Sequence, residues 1–373
     1  MKFVISSSVL SARLQAVGRV ISSKNNLPIL DCFLFNIQGN RLTLTASDNE
    51  TTLTTWVELV ESDADITFAV NAKTIQDAIK EIPEQPLEFF VNEQSLEITV
   101  AYVNGKYNFI AQRADEYPIP PSMEGEVSSL TIDTVQLYTG VNRALFATAD
   151  DMLRPVMNGI FFDIQEQELG IVASDGHKLA CTKQKLNSAR PGSFILPKKP
   201  ANLLKNVLPK EEGDAVIRFN QRNALVETGN YTMNCRLIEG RYPNYNSVIP
   251  QDNPNCATIN RAAFISALRR VMIFSSASSA LVKLHLDAGR ITISSQDIDF
   301  SMSAEEVLLC DYSGDTMNIG FNGSYLMELL NNLESEEVSI KLADGSRAGV
   351  IVPTEQDEDE KVLMLLMPMM LND

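Results

Sequence analysis

Landmark residues recur at nearly equal intervals along the 373-residue chain, and this internal repeat limits the possible folds more than any other feature. Isoleucines that precede an apolar periodic stretch stand 127 residues apart (132 − 5 and 259 − 132), at Ile5, Ile132 and Ile259. Prolines near the ends of the repeats stand 125 residues apart (243 − 118 and 368 − 243), at Pro118, Pro243 and Pro368. Equal intervals at separate landmarks predict three copies of one domain, over residues 1–121, 122–251 and 252–373.

Each of these isoleucines is followed by the apolar period of an amphipathic helix. Apolar side chains recur at i, i+4 and i+7, which is one helix face, at Leu10, Leu14 and Val17, at Leu137, Val141 and Ala144, and at Phe264, Leu268 and Val271. The predicted N-caps are Ser7, Asp133 and Asn260. A second helix is predicted over residues 71–79, 197–204 and 322–330, with Pro197 in a first helical turn. Alternating strands lie between the helices, so the predicted class is α+β.

The stretch Val172–Ala180 has the pattern of a strand, a tight Asp-Gly turn, and a second strand that leaves from Leu179. Leu42–Asp48 and Ile291–Gln296 repeat its plan, with Gln296 in the place of the turn aspartate. His177 in this turn could be a general base or a metal ligand. Since the chain has no GxSxG, P-loop, GxGxxG or HExxH motif, we expect neither catalysis nor a bound metal.

The net charge of −17 argues against a uniformly DNA-binding surface, because phosphate affinity depends on clustered Lys and Arg. The predicted helices nevertheless carry basic side chains, at Arg13, Arg19, Lys73, Lys80, Arg143, Lys198, Lys199, Lys205, Arg269 and Arg270. Arg143 and Arg270 hold equivalent positions, 127 residues apart. Their recurrence favours a surface that faces a polyanion, while a solvated helix face is the alternative for each residue.

Five isolated cysteines predict reduced thiols rather than a zinc site. No apolar run approaches the roughly 18 residues of a membrane span, and the start lacks the pattern of a signal peptide. We therefore expect a cytoplasmic protein that has no contact with a membrane.

Several motifs, in this order, resemble those of bacterial DNA polymerase III beta subunits, the sliding clamps: Leu27–Leu30, Arg154–Gly159, Ser174–Ala180, Gly240–Tyr245, Ile319–Tyr325 and Leu366–Met369. The resemblance covers the whole chain. It implies the DNA clamp fold, in which each of three domains places two helices on an inner face and β-sheets outside. It also implies a head-to-tail homodimer that forms a six-domain ring around double-stranded DNA, without catalytic activity, cofactor or metal.

The resemblance further implies a cleft between the second and third domains that binds short peptide motifs of partner proteins. The matching residues are Met157, Ser174, Gly176, His177, Lys178, Leu179, Pro243, Val248, Asn322, Tyr325, Ser346, Met367, Pro368 and Met369. The implied partners are the catalytic subunit of the replicative polymerase, the clamp loader, and other replication and repair enzymes. From the residues alone, an ordinary core strand is the favoured interpretation of the Met-rich tail 364–370.

By family position, Lys24, Lys73, Lys198 and Lys199 match residues that touch DNA, with Asp150 and Asp151 as nearby acids that would weaken the contact. The dimer interface is expected at Tyr107 and Phe109 of one subunit and Ile273 and Phe274 of the other, while a place in the core of its own domain is the alternative for each residue. Two other classes of protein remain possible from the residues alone. They are a metal-dependent acidic hydrolase or nuclease on a repeated scaffold, and a purely structural repeat protein.

Overall fold

The computed structural model describes residues 1–22, 24–120, 122–187 and 189–371. The domain limit predicted at residue 121 and the last two residues of the tail lie outside the described residues. The chain forms two compact units, one of residues 1–138 and 199–237 and the other of residues 139–198 and 238–373. They are called unit 1 and unit 2 below, and each is described by itself.

Six helices form at the predicted positions: α1 Ser7–Gly18, α2 Ala72–Lys80, α3 Thr134–Leu145, α4 Lys198–Val207, α5 Arg261–Val271 and α6 Gly323–Asn331. The nine apolar residues predicted to line the first helix of each repeat are all buried. The helical spacing of these apolar residues therefore identified the helix faces that pack on the sheets.

Two of the three predicted N-caps are confirmed. Asp133 accepts hydrogen bonds from the backbone N–H groups at the start of α3, and Asn260 caps α5. Ser7 was the wrong choice for α1, because Ser6 is the cap and the buried Ser7 hydroxyl donates instead to the Pro83 carbonyl. Pro197 was also misplaced, since it ends a strand and α4 begins one residue later.

The strands of the first repeat are β1 Lys2–Ser6, β2 Cys32–Gln38, β3 Arg41–Ser47, β4 Thr51–Glu58, β5 Glu61–Ser62, β6 Ile66–Asn71, β7 Pro86–Val91, β8 Glu97–Tyr102 and β9 Gly105–Ile110. Those of the second are β10 Ser128–Asp133, β11 Gly159–Ile164, β12 Glu168–Ser174, β13 Lys178–Lys185, β14 Gly192–Pro197, β15 Asp214–Phe219, β16 Asn223–Glu227 and β17 Tyr231–Arg236. Those of the third are β18 Asn255–Asn260, β19 Leu281–Asp287, β20 Arg290–Asp297, β21 Met302–Leu309, β22 Met317–Asn322, β23 Glu337–Leu342, β24 Gly349–Pro353 and β25 Glu360–Leu366.

The described residues of each unit form two sheets. Unit 1 has a five-stranded sheet, β5-β1-β7-β8-β9, and an eight-stranded sheet, β10-β15-β16-β17-β4-β3-β2-β6. Unit 2 has an eight-stranded sheet, β14-β11-β12-β13-β25-β24-β23-β18, and a four-stranded sheet, β21-β20-β19-β22. Within each eight-stranded sheet, strands of two successive repeats meet side by side, as β4 with β17 in unit 1 and β13 with β25 in unit 2. The threefold α+β repeat is confirmed.

The turns that follow β3, β12 and β20 also repeat, with one correction to their alignment. The carboxylates of Asp48 and Asp175 accept backbone N–H groups two and three residues ahead. In the third repeat Asp297 does the same for Phe300 at 3.3 Å. Gln296 was therefore the wrong equivalent, because β20 runs one residue further before a longer turn begins.

Candidate functional site: a cleft beside the C-terminal strand, and basic surfaces

The turn between β12 and β13 is held in shape by its own side chains. Asp175 Oδ1 accepts the N–H groups of His177 at 2.8 Å and Lys178 at 2.9 Å. The hydroxyl of Ser174 donates to the Lys178 carbonyl at 2.8 Å, and Gly176 takes the left-handed backbone that the turn requires, with φ +91°. The imidazole of His177 is consequently exposed on a fixed backbone.

The C-terminal strand β25 lies beside this turn and ends next to it. Strand β25 pairs antiparallel with β13 up to Leu366. The next residue, Met367, donates its N–H to the His177 carbonyl at 2.8 Å, and Met369 donates to the Gly320 carbonyl at 2.8 Å. The tail thus passes from the end of β13 to β22, and it leaves the Met367 side chain 43 % exposed. Met364 is core, so the core-strand interpretation of the tail is correct only up to Leu366.

Lys178 is buried in this cleft, with only 6 % of its surface exposed. Its ammonium lies 3.0 Å from Asp175 and 3.0 Å from Glu328, and 4.1 Å from the centre of the Tyr325 ring. Burial opposes the charged form, but the hydrogen bonds to Asp175 and Glu328 outweigh it and raise the pKa of Lys178. Lys178 therefore joins the turn to α6 and is not a free cation that a peptide could pair with.

The start of α6 supplies the opposite wall. Asn322 caps the helix by accepting the Tyr325 N–H at 3.1 Å, and its amide donates to the Ser279 carbonyl at 3.2 Å. The Tyr325 ring lies over the His177 imidazole, with 6.0 Å between the ring centres. Two flat side chains from distant parts of the sequence therefore form one surface.

The base of the cleft is an apolar cluster. It contains Leu179 together with Val172, Cys181, Tyr245, Ala348 and Leu365, with Phe161 and Ile249 packed against it. Pro243 and Val248 are exposed on either side of Tyr245, while Met157 is buried. The backbone N–H and the hydroxyl of Ser346 both donate to Asp344 in its own loop.

Three residues that hold the site together were not among those predicted. Arg154 donates to the Asp151 carboxylate at 2.8 Å and to the Asp175 carbonyl at 3.3 Å, which links the loop before Met157 to the turn. Asp175 and Glu328 fix the Lys178 ammonium. Glu328 could have been suspected from the sequence, because it stands at i+3 from Tyr325 on α6 and so lies on the same helix face. No pattern in the sequence, however, pairs Glu328 with Lys178.

The arrangement has no catalytic geometry. The His177 imidazole lies against the Tyr325 ring, and the His177 backbone N–H donates to Asp175. Across the described residues, no three His, Cys, Asp or Glu side chains are grouped so that they could hold a metal ion. What the site offers is an apolar base, exposed methionine, and few polar groups, which suits a peptide with apolar side chains.

The four lysines predicted to touch DNA differ in their surroundings. Lys24, in the loop after α1, and Lys73, in the first turn of α2, are exposed. The Lys198 ammonium lies 3.7 Å from the Asp150 carboxylate. Lys199 forms an ion pair with Asp48 and donates to the Val20 carbonyl at 2.5 Å, so its charge is largely used within unit 1.

Two arginines that the repeat suggested for the same surface are also paired. Arg143 is 11 % exposed and forms ion pairs with Glu334 and Glu360. Arg270 is 58 % exposed and pairs with Glu306. Equivalent positions therefore carry arginines with different partners and different burial, and the expectation of a polyanion contact at Arg143 is not supported by its surroundings.

The residues predicted for the dimer interface lie at sheet edges or on the surface. Tyr107 and Phe109 lie on β9, the edge strand of the five-stranded sheet of unit 1. In unit 2, Ile273 and Phe274 are exposed after α5 and close to the edge strand β21, which contacts that segment.

Comparisons with known proteins identify the family. Sequence profiles for the N-terminal, central and C-terminal domains of the DNA polymerase III beta subunit match residues 1–121, 131–244 and 246–370. The chain belongs to the DNA polymerase III beta subunit family. Its function is that of a sliding clamp, a processivity factor without catalytic activity, and the hydrolase or nuclease alternative is not supported.

Relatives match over their whole length. The beta sliding clamp of Pseudomonas putida is 29 % identical over 369 residues, which cover 98 % of this chain and 99 % of the relative. That of Haemophilus influenzae is 29 % identical over 373 residues and 100 % of both chains. Among solved structures, the Pseudomonas aeruginosa sliding clamp bound to griselimycin has a TM-score of 0.93 at 26 % identity and covers 100 % of both chains. The Bacillus subtilis clamp has a TM-score of 0.90 at 25 % identity, with 100 % of both chains covered.

Proposed function

We propose that the cleft beside the C-terminal strand is where this clamp binds short peptide segments of its partners. The observation that carries the proposal is the path of the tail, whose Met367 and Met369 N–H groups bond to His177 and Gly320. This path sets an exposed methionine between the turn and α6, above an apolar base. The partners are the catalytic subunit of the replicative polymerase, the clamp loader, and other replication and repair enzymes.

The test is co-elution with the catalytic subunit of the replicative polymerase in gel filtration. Deleting residues 367–373 should abolish co-elution and leave the clamp dimeric. Met367→Glu should also weaken it, because a charge then faces the apolar base, while Met370→Glu is the matched control on a side chain that is 91 % exposed. Unchanged polymerase binding after the deletion would reject the cleft.

A clamp that slides needs only weak, sequence-independent attraction to DNA, because topological linkage supplies persistence. Scattered lysines provide such attraction through phosphate contacts. Lys24, Lys73 and Lys198 are the proposed contacts, and Lys199 contributes less because Asp48 neutralises it. Tethering raises the effective concentration of a polymerase at its template. In the described part of the chain no helix is long and apolar enough to cross a bilayer, and the proposed location is the cytoplasm.

The three clamp domains are proposed to span 1–121, 122–251 and 252–373, and the repeat then predicts how two copies join. Within each unit, a strand that follows the turn pairs with the last strand of the next repeat: β4 with β17, and β13 with β25. The remaining equivalents are β21 and β9, and both are edge strands. Pairing β21 of one subunit with β9 of another would be the third strand pair of this kind. Two such contacts, one at each end, would close a head-to-tail homodimer.

The repeat also predicts the register of that contact. Thr52 pairs with Asn234, and Leu179 with Leu365. Ser303 is the equivalent of Thr52 and Leu179, because it lies opposite Gln296 across the third hairpin. Asn108 is the equivalent of Asn234 and Leu365. It stands four residues before the residue that bridges to Ala69, as Leu365 stands four residues before the one that bridges to Gly320. Ser303 should therefore face Asn108 of the partner subunit.

One residue along in this register, Ala304 should face Tyr107, and then Glu305 should face Lys106. Cross-strand neighbours are close enough for a disulfide, and opposite charges across strands are favourable. The double variant Ala304→Cys, Tyr107→Cys should give a covalent dimer under oxidation. Val307→Cys with Tyr107→Cys, three residues out of register, should not. Light scattering that gives a monomer at micromolar concentration would refute the dimer.

A further inference from the structure

The turn at residues 48–50 in unit 1 is built like the turn that carries His177. Asp48 Oδ1 accepts the N–H groups of Glu50 at 3.1 Å and Thr51 at 2.7 Å. Asn49 takes the left-handed backbone, with φ +76°, where Gly176 has φ +91°. The first repeat therefore reproduces the turn that forms one side of the proposed peptide cleft.

The strand beside this turn is reproduced as well. Cys235 pairs with Thr51, and the next residue, Arg236, donates its N–H to the Glu50 carbonyl at 2.8 Å. In the peptide cleft the corresponding donor is Met367, also at 2.8 Å. Arg236 thus holds the position of Met367, and 58 % of its side chain is exposed.

A cavity of about 280 Å³ opens at this place. Its lining combines polar and charged side chains with Pro120 and Cys235, where the equivalent cleft in unit 2 has an apolar base. Thr52 and Asn234 occupy the places of Leu179 and Leu365, as the strand registers show. The substitution of amides and hydroxyls for leucines changes the class of ligand that the site can accept.

The cavity carries more positive than negative charge, in a chain whose net charge is −17. Arg222 and Arg236 line it, together with Asn49 and Asn223. Glu50 is the acidic side chain in the lining, and it lies 3.8 Å from Arg236. Guanidinium groups bind carboxylates and phosphates through paired hydrogen bonds.

We propose that this unit 1 cleft, formed around Arg222 and Arg236, docks an extended acidic peptide segment. Carboxylates of the segment pair with the two guanidinium groups, and its backbone exchanges hydrogen bonds with the asparagine amides, which both donate and accept. A phosphodiester fits less well because it has no donor for the amide oxygens, whereas a peptide backbone has N–H groups. The choice of a peptide as the class of ligand rests on the proposed function of the equivalent cleft in unit 2.

The test is fluorescence anisotropy on the full-length protein at low salt. The probe is a fluorescein-labelled heptapeptide with four glutamates, and its counterpart with four glutamines is the charge control. The double variant Arg222→Gln, Arg236→Gln should weaken binding of the acidic peptide about fivefold, as expected for two partly exposed ion pairs. Arg347→Gln is the control, because Arg347 is an exposed arginine of unit 2 that pairs with Asp344 in its own loop.

The proposal is supported if the acidic peptide binds, the glutamine peptide does not, and only the double variant loses binding while its circular dichroism spectrum stays unchanged. It is overturned if the acidic peptide does not bind, or if Arg347→Gln weakens it equally. It is also overturned if a labelled twelve-nucleotide oligothymidine binds more tightly through the same two arginines. Co-elution of the 367–373 deletion variant with the polymerase subunit is measured in parallel. If that co-elution survives the deletion, the unit 2 cleft is rejected and the result for the unit 1 cleft stands alone.

Discussion

Replacing Arg143 with methionine separates a structural role from a DNA-binding one. The Arg143 side chain is 11 % exposed and forms an ion pair with Glu360, whose side chain is 23 % exposed. The Glu360 carboxylate also accepts a hydrogen bond from the Gln184 amide at 3.0 Å. Removing one partner of a fully buried ion pair costs about 3–5 kcal/mol. Because Glu334 is largely exposed and water reaches part of Glu360, we expect a loss of about 2 kcal/mol of local stability.

The assay is native-state hydrogen exchange of the β25 amides, because a two-unit protein need not unfold in one step. A loss of about 2 kcal/mol corresponds to roughly 30-fold faster exchange at Val362–Leu366. Arg270→Met is the matched control, since its ion pair with Glu306 is exposed and should contribute little. Unchanged exchange in Arg143→Met, together with weaker DNA binding, would refute the structural role and restore the expectation from the sequence.

Three further results are expected. Partner binding through the cleft should fall as the pH drops below about 4. Burial opposes ionisation of Asp175, but the N–H groups of Lys178 and His177 outweigh it and lower the pKa, so the stabilisation is present above the ordinary pKa and is lost as pH falls through the folded value. Titration of a labelled partner peptide by anisotropy measures this, and binding that is undiminished below that pH would contradict it. Burial raises the pKa of the Cys181 thiol to about 12, so mass spectrometry after iodoacetamide at pH 8 should show the exposed Cys256 modified and Cys181 intact. Lys73→Ala should reduce the salt dependence of DNA binding by about one counterion, measured as the slope of log K against log salt, and an unchanged slope would exclude this contact.

Periodicity was enough to predict the helices and the repeat, because burial of one helix face is a local property of the sequence. The exact ends of elements were less accessible. Ser6 and Ser7 are equally good caps by composition. Contacts in the fold decide between them, because Ser6 accepts the Val9 N–H while Ser7 donates to the Pro83 carbonyl. Gln296 was wrongly aligned with Asp48 and Asp175 because the third hairpin turn is longer. The length of a turn cannot be read from a pattern of residue types.

The candidate site was predicted in part, since the family resemblance supplied the cleft residues and the structure brings the turn, α6 and the tail together. The family resemblance gave no indication that Lys178 is buried between Asp175 and Glu328, or that Lys199 is neutralised by Asp48. Such pairings join residues far apart in sequence, and a charge in a sequence does not reveal its partner. For the same reason, Arg143 and Arg270 were indistinguishable before their surroundings were known.

The most direct test of the clamp function is retention on DNA of different topology. The protein is loaded on a nicked circular plasmid by the clamp loader of the same cell with ATP, and the complex is isolated by gel filtration. A clamp that encircles and slides should co-elute with the circle and be released when the plasmid is cut once. Co-elution that survives linearisation, or failure to co-elute with the circle, would contradict the account.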